Sequence, residues 1–145
     1  MTDQPITNED SVVSIQSTII PSLQRAQTLP AYFPHTFIVM ESAAYRFADV
    51  LCKEYSGAYW EFHSLSNGGF YMSPDLKDML RVEVPFGNAY LGQMSADAFG
   101  IVVCLYVYSA LAEEHPAVGF DDYYWSLRDF ADGHKEASAI YGAID

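Results

Sequence analysis

The sequence predicts an α+β fold: a small, mostly antiparallel sheet of three to five strands packed against a buried central helix, with further helices flanking it. Three observations carry this expectation. Residues 98–112 are apolar apart from Gly100 and Ser109, enough for a core helix but short of the ~18 to 20 residues that span a bilayer. Asn67-Gly68 lies between two aromatic segments and is the strongest short hairpin signal, since both residues tolerate the positive φ of a type I′ turn. Leu80, Val82 and Val84 alternate with Arg81 and Glu83 before Pro85, the period-two pattern of a strand with one buried face.

Residues 1–10 are polar and acidic and include Pro5; they read as a mobile tail ahead of a single domain over residues 11–145. The β-branched content at Val12, Val13, Ile15, Thr18, Ile19 and Ile20 predicts a strand over residues 11–20. Pro21 opens a short helix through Leu23, Arg25 and Ala26, which Pro30 and Pro34 confine to about two turns before an extended link over residues 36–40. Over residues 41–55, Ala44, Phe47, Ala48, Leu51 and Tyr55 share one helical face opposite Arg46, Asp49 and Lys53, and Ser56-Gly57 supplies the stop.

The hairpin strands are expected over residues 58–65 and 70–73. A two-residue turn would pair Leu65 with Phe70 and His63 with Met72, mixing apolar groups with Glu61 and His63, so both faces should be partly covered. A weaker strand is expected near residues 89–94, after the one at 80–84. Ser95 offers an N-cap, and Asp97 a first-turn negative charge, for the central helix over residues 96–115. Pro116 and Gly119 end it. A last helix then runs from about residue 121 to 144, with Tyr123, Tyr124, Leu127, Phe130, Ala131, Tyr141 and Ile144 along its apolar face and Gly133 as the point where it can break.

Seven Lys and Arg against nineteen Asp and Glu leave a formal charge of −12, the wrong sign for binding phosphates by counterion release. Direct nucleic-acid binding is therefore not expected. Cys52 and Cys104 lie in separate apolar patterns with no Cys-x-x-Cys or Cys/His ligand spacing, so neither a disulfide framework nor a metal centre is predicted and a reducing cytoplasm fits. Residues 1–10 carry Asp3, Glu9 and Asp10 and no Lys or Arg, so a secretory signal is not expected. A soluble protein without a membrane partner is the expectation.

Catalytic patterns are scarce. The chain has no Gly-x-Ser-x-Gly elbow, phosphate loop, His-Glu-x-x-His or dinucleotide fingerprint, and no cofactor is predicted. Glu61 and His63, two apart on one strand, share a face and form either an acid/base pair or a structural hydrogen bond. Cys104 sits in an apolar helix and reads as core packing, as does Trp60. Glu113, Glu114 and His115 are adjacent on a helix and diverge, which does not suit one metal ion.

Trp125 lies off the apolar stripe of its helix, in an acidic context. Residues 113–136 hold seven acids and two bases, and Asp122, Asp129 and Glu136 recur every seven residues, which on one helix spaces them ~10.5 Å apart. Asp122, Trp125, Asp129, Asp132 and Glu136 are thus the candidate interaction surface. Such a surface meets a basic partner, imitates phosphates, or is a solvated face laced by pairs such as Arg128 with Asp132.

Three blocks carry a resemblance: Tyr55-Ser-Gly-Ala-Tyr-Trp-Glu-Phe-His-Ser-Leu-Ser-Asn-Gly-Gly-Phe-Tyr-Met-Ser-Pro-Asp75, Leu80-Arg-Val-Glu-Val-Pro85 and Met94-Ser-Ala-Asp-Ala-Phe-Gly-Ile101. In this order the sequence resembles the antirestriction proteins of the ArdB/KlcA type, over about residues 21–145. The resemblance implies a small protein of plasmids and other mobile elements that protects incoming DNA from host type I restriction-modification enzymes. It implies no catalytic residues, and a partner that is the restriction enzyme or an associated host protein. The resembled type is not regarded as a straightforward DNA mimic, and the charge agrees: at one charge per ~1.7 Å of duplex, −12 matches only about six base pairs. Non-catalytic protein-protein interference is therefore the leading expectation. An acidic decoy occupying a DNA-binding groove is the alternative, and a small enzyme using Glu61 and His63 ranks behind both.

Overall fold

In the computed structural model, which describes residues 14–145, the chain builds five strands and five α-helices in the order β1 (Ser17–Ile19), α1 (Arg25–Tyr32), α2 (Phe37–Leu51), β2 (Trp60–Leu65), β3 (Phe70–Pro74), β4 (Leu80–Glu83), β5 (Leu91–Met94), α3 (Ala96–Glu114), α4 (Phe120–Asp132) and α5 (Ala137–Ile144), with a 3-10 turn at Ser22–Gln24 before α1. The α+β class is as expected. The strands form two antiparallel ladders, β1-β2-β3 and β4-β5, rather than one continuous sheet. The proposed tail and residues 11–13 of the expected first strand lie outside the described residues, and residues 14–16 do not extend β1.

Helix α3 is the hub. Its midsection from Phe99 to Leu105 is wholly buried, and β3, α2, α4 and α5 all pack on it. It alone among the described helices has the length and apolarity to cross a membrane; here that apolar surface is covered by the rest of the fold. Contact with β3 is unusually close. A Cβ built on Gly100 would stand 2.5 Å from the Met72 carbonyl oxygen and 2.5 Å from Ser73 Cβ, so only glycine lets the helix lie against the strand. That approach satisfies the edge of β3: the Met72 amide donates to Cys104 Sγ at 3.4 Å, and the Tyr108 hydroxyl donates to the Phe70 carbonyl at 2.6 Å.

The hairpin is present, with a different register. Pairing is Ser64 with Phe70, His63 with Tyr71 and Phe62 with Met72, one residue away from that of a two-residue turn. Residues 66–68 form the connection, closed by Gly68 N to Leu65 O at 3.0 Å and Leu65 N to Gly69 O at 2.9 Å, with Gly68 at φ +90°. Only the glycine takes the left-handed region because the Asn67 side chain is committed elsewhere. Its Oδ1 accepts from the Gly69 amide at 3.1 Å and its Nδ2 donates to the Ser126 carbonyl of α4 at 2.9 Å. As expected, the hairpin is covered on both faces: every residue of β3 is buried.

Two further differences concern helices. Residues 37–40 open α2 rather than forming an extended link, because Met40 continues the buried stripe of Ala43, Ala44, Ala48 and Leu51. Packing overrides the β propensity of Ile38 and Val39; both are exposed. The helix then stops at Leu51, and Gly57, at φ +105°, serves the following loop. The last helix is two helices. Gly133 caps α4, and a turn built on Gly133 N to Phe130 O and Ala137 N to His134 O leads into α5.

Candidate functional site

Helix α4 begins at Phe120 beyond Gly119, with Asp121 and Asp122 in its first turn where the dipole favours carboxylates. Phe120, Leu127 and Ala131 form its buried side. Phe120 stacks on Phe33, with ring centroids 5.6 Å apart, within an aromatic group that includes Phe70, Tyr108 and Tyr123. The opposite side presents Trp125, 57% exposed. Trp125 is fixed in place by Tyr124, whose ring meets it edge-on at 5.1 Å, and by the Arg128 guanidinium 5.7 Å from its ring.

Helical spacing puts Asp121 and Asp122 one turn before Trp125, and Asp129 and Asp132 one and two turns after it. All four are exposed. An indole ringed by carboxylates is an apolar anchor inside a charged rim, the arrangement that suits a partner surface with a pocket and basic edges. Arg128 does not cancel that rim. Its Nη1 donates to the Tyr124 hydroxyl at 2.9 Å, and its Nη2 faces Asp145 at 3.7 Å. Arg128 thus ties α4 to the end of the chain, and the expected pairing with Asp132 is replaced: Asp132 accepts from Tyr141.

Glu136 does not join the surface in the way a seven-residue repeat requires. Because α4 ends at Asp132, Glu136 falls at the start of α5 and turns back onto α3. Its carboxylate accepts from the Ser95 amide at 2.9 Å and from the Ser95 hydroxyl at 2.5 Å. That hydroxyl in turn accepts from the Ala98 amide at 3.1 Å. A capping box normally takes its carboxylate from the third helical residue; here that residue is Ala98, and Glu136 supplies the carboxylate from another part of the chain. The continuous stripe is thereby broken after Asp129.

The same turn docks His134. The Glu136 amide donates to His134 Nδ1 at 2.9 Å, which leaves the ring proton on Nε2, pointing at Asp97 Oδ2 at 2.8 Å. The Tyr71 hydroxyl donates to the other oxygen, Oδ1, at 2.7 Å. Burial acts to raise the pKa of Asp97, but the hydrogen bonds from His134 and Tyr71 outweigh it and hold the carboxyl below its ordinary value. Burial pushes the Tyr71 phenol well up.

Glu61 and His63 do share a strand, but His63 is buried, with its ring 4.2 Å from Tyr71 and nearly parallel to it. Its Nε2 lies 2.9 Å from Ser73 Oγ, and burial depresses its pKa. Neither residue lines the surface depressions beside β1 or the one between α1 and α2. Cys104 is fully buried, and its thiol is pushed up to about 12; Cys52 is buried too. Among the described residues, no three His, Cys, Asp or Glu side chains gather as a metal-ligand set. Sequence reasoning missed the Tyr71–Asp97–His134 and Ser95–Glu136 connections. Their one legible trace was a Ser95 cap lacking its usual acidic partner at the third helical position.

The fold belongs to a recognisable class. A family profile described as "Antirestriction protein" matches residues 53–145, and the chain belongs to the antirestriction protein family. Antirestriction protein KlcA of Escherichia coli is 43% identical over 148 residues, covering 99% of this chain and 97% of the relative. The uncharacterized protein YfjX of Escherichia coli strain K12 is 36% identical, covering 93% and 91%. A solved structure superposes with a TM-score of 0.85 at 42% identity, covering 93% of this chain and 99% of the other. It is described as a KlcA and ArdB structure with a novel fold and antirestriction activity against type I DNA restriction systems in vivo but not in vitro.

Proposed function

We propose that this chain relieves host type I restriction of incoming mobile-element DNA by a non-catalytic contact inside the cell, made through the Trp125 face of α4. Family membership supports the antirestriction role. Activity of the solved relative in vivo but not in vitro favours a cellular partner, the restriction enzyme in its cellular state or a protein associated with it, over simple occupation of the enzyme. The observation that carries the surface is Trp125, more than half exposed on a helix whose other face is locked into the core. Large exposed indoles are uncommon and concentrate at contact sites.

The acidic-decoy alternative draws less support from the geometry. Glu136 is turned to the Ser95 cap and Asp132 accepts from Tyr141, so the outward charge is a rim around an apolar anchor rather than a phosphate-like ladder. Plating efficiency of unmodified phage on a type I restricting host tests the proposal. Expression of the wild-type chain should raise plating, and Trp125→Ala should lower it by an order of magnitude or more with folding intact. Full relief by Trp125→Ala removes the surface, and no relief by the wild type removes the function.

A further inference from the structure

Strand β1 is the outer strand of the three-stranded sheet, and all three of its residues are exposed. Its inward hydrogen bonds are made on the even-numbered side of the chain: Ser66 N to Gln16 O at 2.9 Å and Ile20 N to Phe62 O at 2.8 Å. By the alternation of an antiparallel ladder, the amides and carbonyls of Ser17 and Ile19 then point away from the sheet. Among the described residues no strand pairs with that outer edge. Its shortness is its one protection, since Ser17, Thr18 and Ile19 include no charge, proline or bulge.

The edge is flanked by one depression on each face of the sheet. On the face of Thr18 and Ile20, a depression of about 360 Å³ is lined by Ile20, Gln24, Gln27, Thr28, Tyr32 and Ser64. On the face of Ile15 and Ser17, one of about 240 Å³ is lined by Ser14, Ile15, Asp129, Phe130 and Gly133. An added strand sends successive side chains to alternate faces. It would place polar, uncharged groups against the glutamines and cationic groups against Asp129, whose carboxylate has no ion-pair partner among the described residues.

From this we propose that β1 is a strand-addition site for an extended, basic peptide segment of another protein, held by the Ser17 and Ile19 backbone and selected by a Lys or Arg opposite Asp129. The charge of the chain decides the occupant. A second copy also carries −12, so edge-to-edge pairing of two copies sets like charges together, whereas a basic strand is drawn to the same edge. The site is distinct from the Trp125 face; the two share Asp129 alone.

The test uses the full-length chain, isotope-labelled for backbone amide spectra, at physiological ionic strength. The probe is a short capped peptide alternating lysine with threonine, so that its lysines face one side. It is compared with a glutamate-for-lysine version and with a version N-methylated at alternate residues, which keeps the charge but cannot extend the sheet. The proposal expects shifts at Ser17, Ile19, Gln27 and Phe130 with the first peptide alone, and binding about two- to fivefold weaker in Asp129→Asn. Ile19→Pro removes one outward donor while sparing the inward ladder, and should weaken binding about tenfold. Should that variant fail to fold, the N-methylated peptide on the wild-type chain still decides. Equal binding of the N-methylated or glutamate peptide, shifts confined to other surfaces, self-association through this edge, or no binding at millimolar peptide overturns the proposal. Loss of restriction relief in Trp125→Ala with peptide binding retained separates this site from the α4 contact.

Discussion

Replacing Gly100 with alanine sets two physical effects against each other, and the structure says which wins. On helix propensity alone, Gly100→Ala in the middle of α3 should stabilise by about 1 kcal/mol. The new Cβ, however, would lie 2.5 Å from Met72 O, 2.5 Å from Ser73 Cβ and 2.6 Å from Ser73 Cα, where ordinary contact is ~3.5 to 4.0 Å. Two of these atoms are backbone, so relief requires α3 and β3 to separate by about 1 Å. That movement strains the Met72–Cys104 and Tyr108–Phe70 hydrogen bonds, which satisfy the β3 edge. Overpacking costs about 1 to 3 kcal/mol, and weakening a buried hydrogen bond costs about 1 kcal/mol more. The sum outweighs the propensity gain and leaves a net loss of about 1 to 3 kcal/mol. Urea unfolding monitored by far-ultraviolet circular dichroism measures it directly. A midpoint equal to or above that of the wild type would refute the close-approach argument, because the sign itself discriminates.

Buried titratable groups make stability depend on pH. His63 stays neutral in the fold because burial depresses its pKa, whereas the unfolded chain takes up a proton below about pH 6.5. Stability therefore falls as pH drops through that value toward the native pKa, at up to ~1.4 kcal/mol per pH unit. Asp97, held below its ordinary value of 3.8, adds a second loss in stronger acid. Unfolding titrations between about pH 7 and 5 check the first window, and His63→Gln should flatten it. Ser95→Ala removes the α3 cap and one of the two hydrogen bonds that Ser95 gives the Glu136 carboxylate, at a cost of about 1 to 2 kcal/mol read by thermal unfolding. Cys104, fully buried with its thiol pushed up to about 12, should resist iodoacetamide in the native chain and react once urea unfolds it.

Local patterns account for much of the fold. The β4 alternation puts Leu80, Val82 and Val84 inside, Ser95 caps α3, and the hairpin turns at Asn67-Gly68. What local patterns do not carry is the reach of side chains across the fold. The hairpin register depends on Asn67 bonding to Ser126, 59 positions away, and the opening of α2 depends on Met40 filling a core that β-branched neighbours obscure. The candidate surface divides the same way. Trp125 was legible as a large side chain off the apolar stripe, but the role of Glu136 depends on Ser95, 41 positions away, which no helical periodicity can report. Seven-residue spacing implied a continuous stripe only on the premise of one unbroken helix, and Gly133 ends it.

Restriction relief by this chain is proposed to require that α4 meet a cellular partner at Trp125. An aromatic photo-crosslinking amino acid, which keeps a large ring at position 125, tests this most directly in restricting cells, scored alongside phage plating. The prediction is a covalent adduct with one discrete protein that disappears, together with restriction relief, when Asp122 and Asp129 are changed to asparagine. Full restriction relief with no adduct from position 125, while a crosslinker on another face captures a partner, would contradict it.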